Sequence, residues 1–185
     1  ADVGALVLRD NYEQTQALSL SEASAPDMLS AHAQSIRFLE RTGLLNRSVE
    51  FLPDDSDLAE RARMGKGLTR PELAVLLAYT KLWLYQILLD SDLPDDPYLQ
   101  KDLQTYFPQA LQKAYPGDIA RHQLRREIVA TVITNALINR VGINAVLSFA
   151  EQNISNVALI ARAFIFAREI LNLTSIWKNI EALDN

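Results

Sequence analysis

Leu68-Thr69-Arg70-Pro71-Glu72, followed by a long apolar run from Leu73 to Leu89, narrows what the middle of this chain can become. Thr69 and Glu72 have the spacing of a capping box, in which the hydroxyl accepts from a first-turn amide and the carboxylate reaches back to the cap amide. Pro71 falls in the first turn, where its missing N–H deprives no carbonyl of a partner. At 100° per residue, Leu73, Leu76, Leu77, Trp83, Leu84, Ile87 and Leu88 make one broad stripe, with Val75, Tyr79 and Leu82 opposite. A helix apolar nearly all round is covered on more than one side. The competing reading is a membrane span, since the run approaches the length one needs. Lys81 and Gln86 lie inside it, and a charge at mid-bilayer depth is costly, so the buried core helix is the better reading.

Around that helix, glycines and prolines punctuate stretches of helical periodicity and strand signals are nearly absent, which predicts an all-α fold: an irregular multi-helix domain built around a buried central helix. A first helix is expected from about Asp2 to Leu20. A second follows Ala25-Pro26 and ends at Gly43, and a short one follows the cap candidates Asp54 to Asp57 and ends near Gly65. The capped helix then covers about Arg70 to Leu89. Asp92 to Pro97 reads as a turn into a short helix ending at Phe107, and Pro108 opens another short turn. Pro116-Gly117-Asp118 is expected to start one long helix to Val141, stopped by Gly142. The remainder reads as helices over Ala145 to Gln152, Ser155 to Leu171, and Ser175 onward.

With 49% hydrophobic and 22% charged residues in 185, the chain can bury a substantial core. Its net charge of -5 argues against general nucleic-acid binding. The absence of cysteine excludes disulfides, thiol nucleophiles and Cys-based metal sites, and fits a reducing compartment. The chain begins without Met and ends inside helical patterns, so both ends are expected to be cuts in a longer polypeptide.

Most candidate chemistry reads as structure. His32 and His122 have no neighbours that make a triad or a ligand set. The aspartates at 54, 55 and 57 and at 90, 92, 95 and 96 lack EF-hand spacing and suit caps and turns better than a cation site. Gly65-Lys66-Gly67 lacks the spacing of a phosphate loop. Arg121, His122, Arg125 and Arg126 read as an exposed basic first turn, with a phosphate or acidic partner as the alternative. Two polar features are less ordinary. The helical wheel puts Asn135 and Asn139 within the apolar stripe of Ile128, Val132, Ile133, Ala136 and Leu137, where a buried amide without a partner costs about 1–3 kcal/mol. They are expected either to fix helix register through an interhelical hydrogen bond or to line a polar pocket or interdomain contact. Asp10 and Gln14 share the side of Val3, Leu6, Val7 and Leu18, a mixed stripe that suits an interface. Asp10, Gln14, Asn135 and Asn139 are therefore the candidate interface or polar-network residues.

Three stretches, Leu8 to Leu18 (LRDNYEQTQAL), Leu68 to Ala74 (LTRPELA), and Arg125 to Ile128 continuing through Thr134 to Gly142 (TNALINRVG), resemble the C-terminal region of the large bacterial NAD-dependent glutamate dehydrogenases. Ala163-Phe164, Ala167-Arg168-Glu169, Leu173, Trp177 and Ile180 to Asp184 look like the end of the same region. The resemblance covers nearly the whole chain in order. It implies a non-catalytic helical domain, residues 23–185, entered through a junction helix at 1–22 where a catalytic region hands over. It also implies a cytoplasmic, homo-oligomeric parent that oxidatively deaminates L-glutamate to 2-oxoglutarate and ammonia, passing hydride to NAD. In that family the substrate lysines, catalytic aspartate and dinucleotide-binding glycines lie upstream. No catalytic, cofactor-binding or metal residue carries over, and no G-x-G-x-x-G is present. The expected partners are the upstream catalytic domain and other subunits, with no nucleic acid and no membrane. The alternative is an independent helical protein-interaction or regulatory module.

Overall fold

The computed structural model describes residues 2–152 and 157–184, and among these the regular structure is entirely helical. Eleven α-helices follow in order: α1 Asp2–Ala23, α2 Leu29–Arg41, α3 Asp55–Arg63, α4 Arg70–Asp90, α5 Gln100–Thr105, α6 Gln109–Ala114, α7 Pro116–Ala120, α8 Arg125–Val141, α9 Ile143–Gln152, α10 Val157–Ile170 and α11 Leu173–Glu181. Two 3₁₀ turns, Leu93–Asp95 and Pro97–Leu99, bridge α4 to α5.

The central helix forms for the reasons its sequence carries. The Thr69 N–H donates to Glu72 Oε2 at 2.7 Å, closing the N-terminal turn. Leu73, Leu76, Leu77, Thr80, Trp83, Leu84 and Leu88 are buried. α8 packs along α4, and α1, α2, α9 and α10 cover further parts of it. By length and composition alone α4 could cross a membrane, yet its apolar faces are occupied by these neighbours. Val75 and Tyr79 are half-buried, and only Leu82, 57% exposed, leaves a large apolar side chain open on the far face. Phe38 meets Trp83 edge-to-face, centroids 5.1 Å apart, which locks α2 against α4 with about 0.5–1.5 kcal/mol beyond area burial.

Gly142 sets the other main angle. Its φ of 90° is open to glycine and strained for other residues, and it lets α8 and α9 meet at 107° with no intervening loop. α9 can therefore fold back over α2 and α4. Gly67 has a different reason to be glycine, because a Cβ there would overlap the Ala25 backbone.

Two expected elements differ. The single helix from Pro116 to Val141 is two, α7 and α8, broken at 121–124. His122 explains the break: its Nδ1 accepts the Leu124 N–H at 3.1 Å, and its ring lies 5.6 Å from that of Phe107. The local bond and the ring contact hold a turn where periodicity alone would continue a helix. Pro108 opens a helix, α6, rather than a turn, its carbonyl accepting from Leu111 and Gln112 at 2.9 and 3.1 Å. Elsewhere the boundaries move slightly: α2 starts at Leu29, α9 at Ile143 and α11 at Leu173, and the expected start at Ser155 lies outside the described residues.

Candidate functional site

Asp10 and Gln14 of α1 border two adjoining cavities, and Asn135 of α8 borders both. On one side of α1, a cavity of about 450 Å³ is bordered by Val3, Leu6, Val7, Asp10 and Glu13, by Phe107 and Pro108, and by Val132, Asn135 and Ala136. On the other side, a cavity of about 480 Å³ is bordered by Gln14, by Ala74, Leu77, Ala78, Lys81, Leu82 and Tyr85 of α4, and by Thr131, Thr134 and Asn135. Thr131 and Asn135 border both, so the two openings share one wall of α8.

The polar groups here are few and unevenly satisfied. Lys81 Nζ donates to Gln14 Oε1 at 2.9 Å, and among the described residues no carboxylate lies within ion-pair distance of it. Burial in this apolar wall lowers its pKa to about 8, against the opposing pull of Asp10 and Glu13. Glu13 is itself engaged by Arg140 at 3.2 Å, and Asp10 has Arg9 at 3.6 Å. The Thr134 hydroxyl is buried without a hydrogen-bond partner.

Asn139 is placed elsewhere. It borders a smaller cavity of about 240 Å³ where the end of α1, α2 and the α8–α9 turn meet, together with His32 and Asn144. Its Oδ1 is buried without a hydrogen-bond partner, as is Nδ1 of His32. His32 is 2% exposed, and burial lowers its pKa to about 4, so the imidazole is neutral in the fold. Polar closure of α2 onto α9 comes instead from Ser35 Oγ, which donates to Asn144 Oδ1 at 3.0 Å.

The remaining charged clusters are absorbed by structure. Asp54 and Asp57 form a reciprocal cap on α3, with the Asp57 N–H 2.9 Å from Asp54 Oδ1. Asp92 and Asp96 each hold Arg162 at 2.8 Å. Arg126 pairs with Asp95 and donates to the carbonyls of Leu89 and Ser91 at 2.7 and 2.9 Å, pinning the C-terminal end of α4. The basic turn around residue 125 is thus largely engaged within the fold.

In the sequence Lys81 is a lysine inside an apolar run, which argues against a membrane span and does not reveal the cleft. Arg140, which approaches Glu13 at 3.2 Å and Glu181 at 2.9 Å while lying over the Trp177 ring, lies within a stretch that carries the family resemblance, but nothing in the sequence shows these contacts.

Comparison with known proteins places this helical arrangement. The family model described as glutamate dehydrogenase, C-terminal, matches residues 65–185. The NAD-specific glutamate dehydrogenase of Pseudomonas aeruginosa is 44% identical over 182 residues, which is 98% of this chain and 11% of that protein. The proteins of the same description from Halomonas elongata and Mycobacterium tuberculosis are 41% and 37% identical, over 100% and 98% of this chain and again 11% of each relative. The chain therefore spans about a tenth of the length of these relatives, and it belongs to the glutamate dehydrogenase C-terminal family.

Proposed function

We propose that this chain is a non-catalytic helical domain of an NAD-dependent glutamate dehydrogenase, whose full polypeptide oxidatively deaminates L-glutamate to 2-oxoglutarate and ammonia. The observation that carries this reading is the match of almost the whole chain to three NAD-specific glutamate dehydrogenases. Hydride transfer needs a dinucleotide fold and positioned substrate-binding groups, and those belong to the other nine-tenths of such a protein. In this reading residues 1–22 form the junction helix and 23–185 the domain. Its partners are the catalytic region of the same polypeptide and the other subunits of a cytoplasmic homo-oligomer.

Exposed apolar side chains support a packing role. Val3, Val7 and Leu8 on α1, Phe166 and Ile170 on α10, and Ile180 and Leu183 at the chain's end are open to solvent. Surfaces of this kind usually meet another protein surface. The test is to assay NAD reduction by glutamate with the full-length protein and with this chain alone. Activity confined to the full-length protein is expected. Saturable NAD binding by residues 1–185 would overturn the non-catalytic reading, and a full-length protein inert toward glutamate would overturn the assignment of the parent.

A further inference from the structure

The cleft of about 480 Å³ beneath α1 combines features that the packing role leaves unused. Its floor is hydrocarbon, from Ala74, Leu77 and Ala78, with Leu82 at the rim. Its polar lining comes from Lys81, Gln14 and Asn135, while the Thr134 hydroxyl is buried behind the wall. Volumes of about 300–1,000 Å³ with an apolar lining and a few convergent polar groups are typical of small-molecule sites. Lys81 leans on a neutral amide oxygen 2.9 Å away and has no ion-pair partner among the described residues.

We propose that this cleft binds a small monocarboxylate with an apolar body, its carboxylate paired with Lys81 and its hydrocarbon lying along Ala78 and Leu82. The charge of the ligand follows from the surroundings. One cation meets one negative charge, while Asp10 and Glu13 on the overlying α1 repel a dianion such as a phosphate monoester. A charged partner at Lys81 replaces the hydration that the ammonium loses in this wall, which a neutral amide of the same shape does not do. The site rests on the geometry of this chain and stands apart from whichever reaction the longer protein performs.

Two-dimensional NMR of residues 1–185, titrated with 4-methylpentanoate and in parallel with 4-methylpentanamide, tests it. Saturable shifts at Ala74, Ala78, Lys81, Leu82 and Thr134 are expected with the acid, at affinity at least tenfold tighter than with the amide. At pH 8 binding is expected to take up protons, because Lys81 is then only partly protonated and the ligand restores its charge. The charged groups that act on Lys81 here are Asp10 and Glu13 on α1, and Tyr85 of α4 also lines the cleft. Lys81→Met, which removes a partly buried charge from an apolar wall and keeps the stem, is expected to fold and to lose both binding and proton uptake. Inorganic phosphate is expected to leave the cleft signals unmoved. The proposal is overturned by equal binding of acid and amide, by full binding to Lys81→Met, by an absence of shifts at 20-fold the working protein concentration and above, or by concentration-dependent shifts at these residues without ligand, which would make the cleft a contact between copies of the chain.

Discussion

Arg61 and Glu72 join α3 to the first turn of α4 through two charge-assisted hydrogen bonds of 2.6 and 2.8 Å, and the same carboxylate accepts the Thr69 N–H. One side chain thus caps the central helix and fastens its neighbour. Burial works to raise the Glu72 pKa, but Arg61 and Thr69 together hold it below the usual range. The stabilisation is present above the ordinary carboxylate pKa and is lost as pH falls through the depressed folded value. Glu72→Gln is expected to cost about 1–2 kcal/mol at pH 7 and much less at pH 3. Urea unfolding at the two pH values checks this; an equal cost at both would mean the charge is irrelevant.

His32 makes a separate acid-side contribution. The unfolded chain binds a proton near the ordinary imidazole pKa of 6.5, whereas the folded chain refuses it until about pH 4. Stability therefore falls as pH drops between those values, by about 3 kcal/mol for a full 2.5-unit gap, and is complete above pH 7. His32→Phe is expected to flatten that part of the stability profile. A slope unchanged between pH 4 and 6.5 would show that His32 titrates normally in the fold.

Asp102 on α5 and Arg168 on α10 form an ion pair of 3.0 Å with both residues 8% exposed. Burial raises the Asp102 pKa and Arg168 opposes the rise. Arg168 keeps Glu169 at 3.1 Å, so Asp102→Asn is expected to cost less than the about 3–5 kcal/mol of a wholly orphaned buried charge. Changing both, Asp102→Leu with Arg168→Met, is expected to restore most of that loss, since a well-packed apolar pair often matches a buried ion pair. Thermal denaturation of the single and double variants decides between a pair that sustains stability and one that merely avoids a penalty.

Phe51 adopts a φ of 54° while 89% exposed. The left-handed conformation costs a non-glycine residue about 1–2 kcal/mol, and here almost no buried area offsets it. The loop is held around it: Arg47 bonds Glu40 at 2.6 Å and Asp55 at 3.0 Å, and Tyr79 donates to Glu50 at 2.6 Å. Phe51→Gly is expected to raise the stability of this chain by roughly 1 kcal/mol, read as an increase in the denaturation midpoint. A decrease would mean the ring packs in solution.

The central helix was readable because its cap, its proline and its apolar periodicity agree. The break before α8 was not, since it depends on His122 meeting Phe107 and bonding Leu124, one a tertiary contact and the other invisible to a count of periods. Of the four polar residues singled out, Asp10 and Gln14 border two adjoining cavities that share Asn135, while Asn139, about one helical turn further along α8, borders a third cavity with His32. A helical wheel gives the side of a helix; it does not say which neighbour covers that side. Lys81 shows the complementary loss, because an amino acid that breaks an apolar pattern reads as a flaw until its surroundings are known.

Arg140 has a consequence for the order in which the chain is made. Its two carboxylate partners come from opposite ends of the sequence, Glu13 near the start and Glu181 near the finish, with Trp177 beneath the guanidinium. Synthesis makes Glu13 first, Arg140 next and Glu181 after both, so any docking of α1 on α8 that precedes α11 leaves the guanidinium with one carboxylate unmet. The last helix then completes the enclosure, and the nascent domain is expected to tighten at its beginning only when its end has been translated.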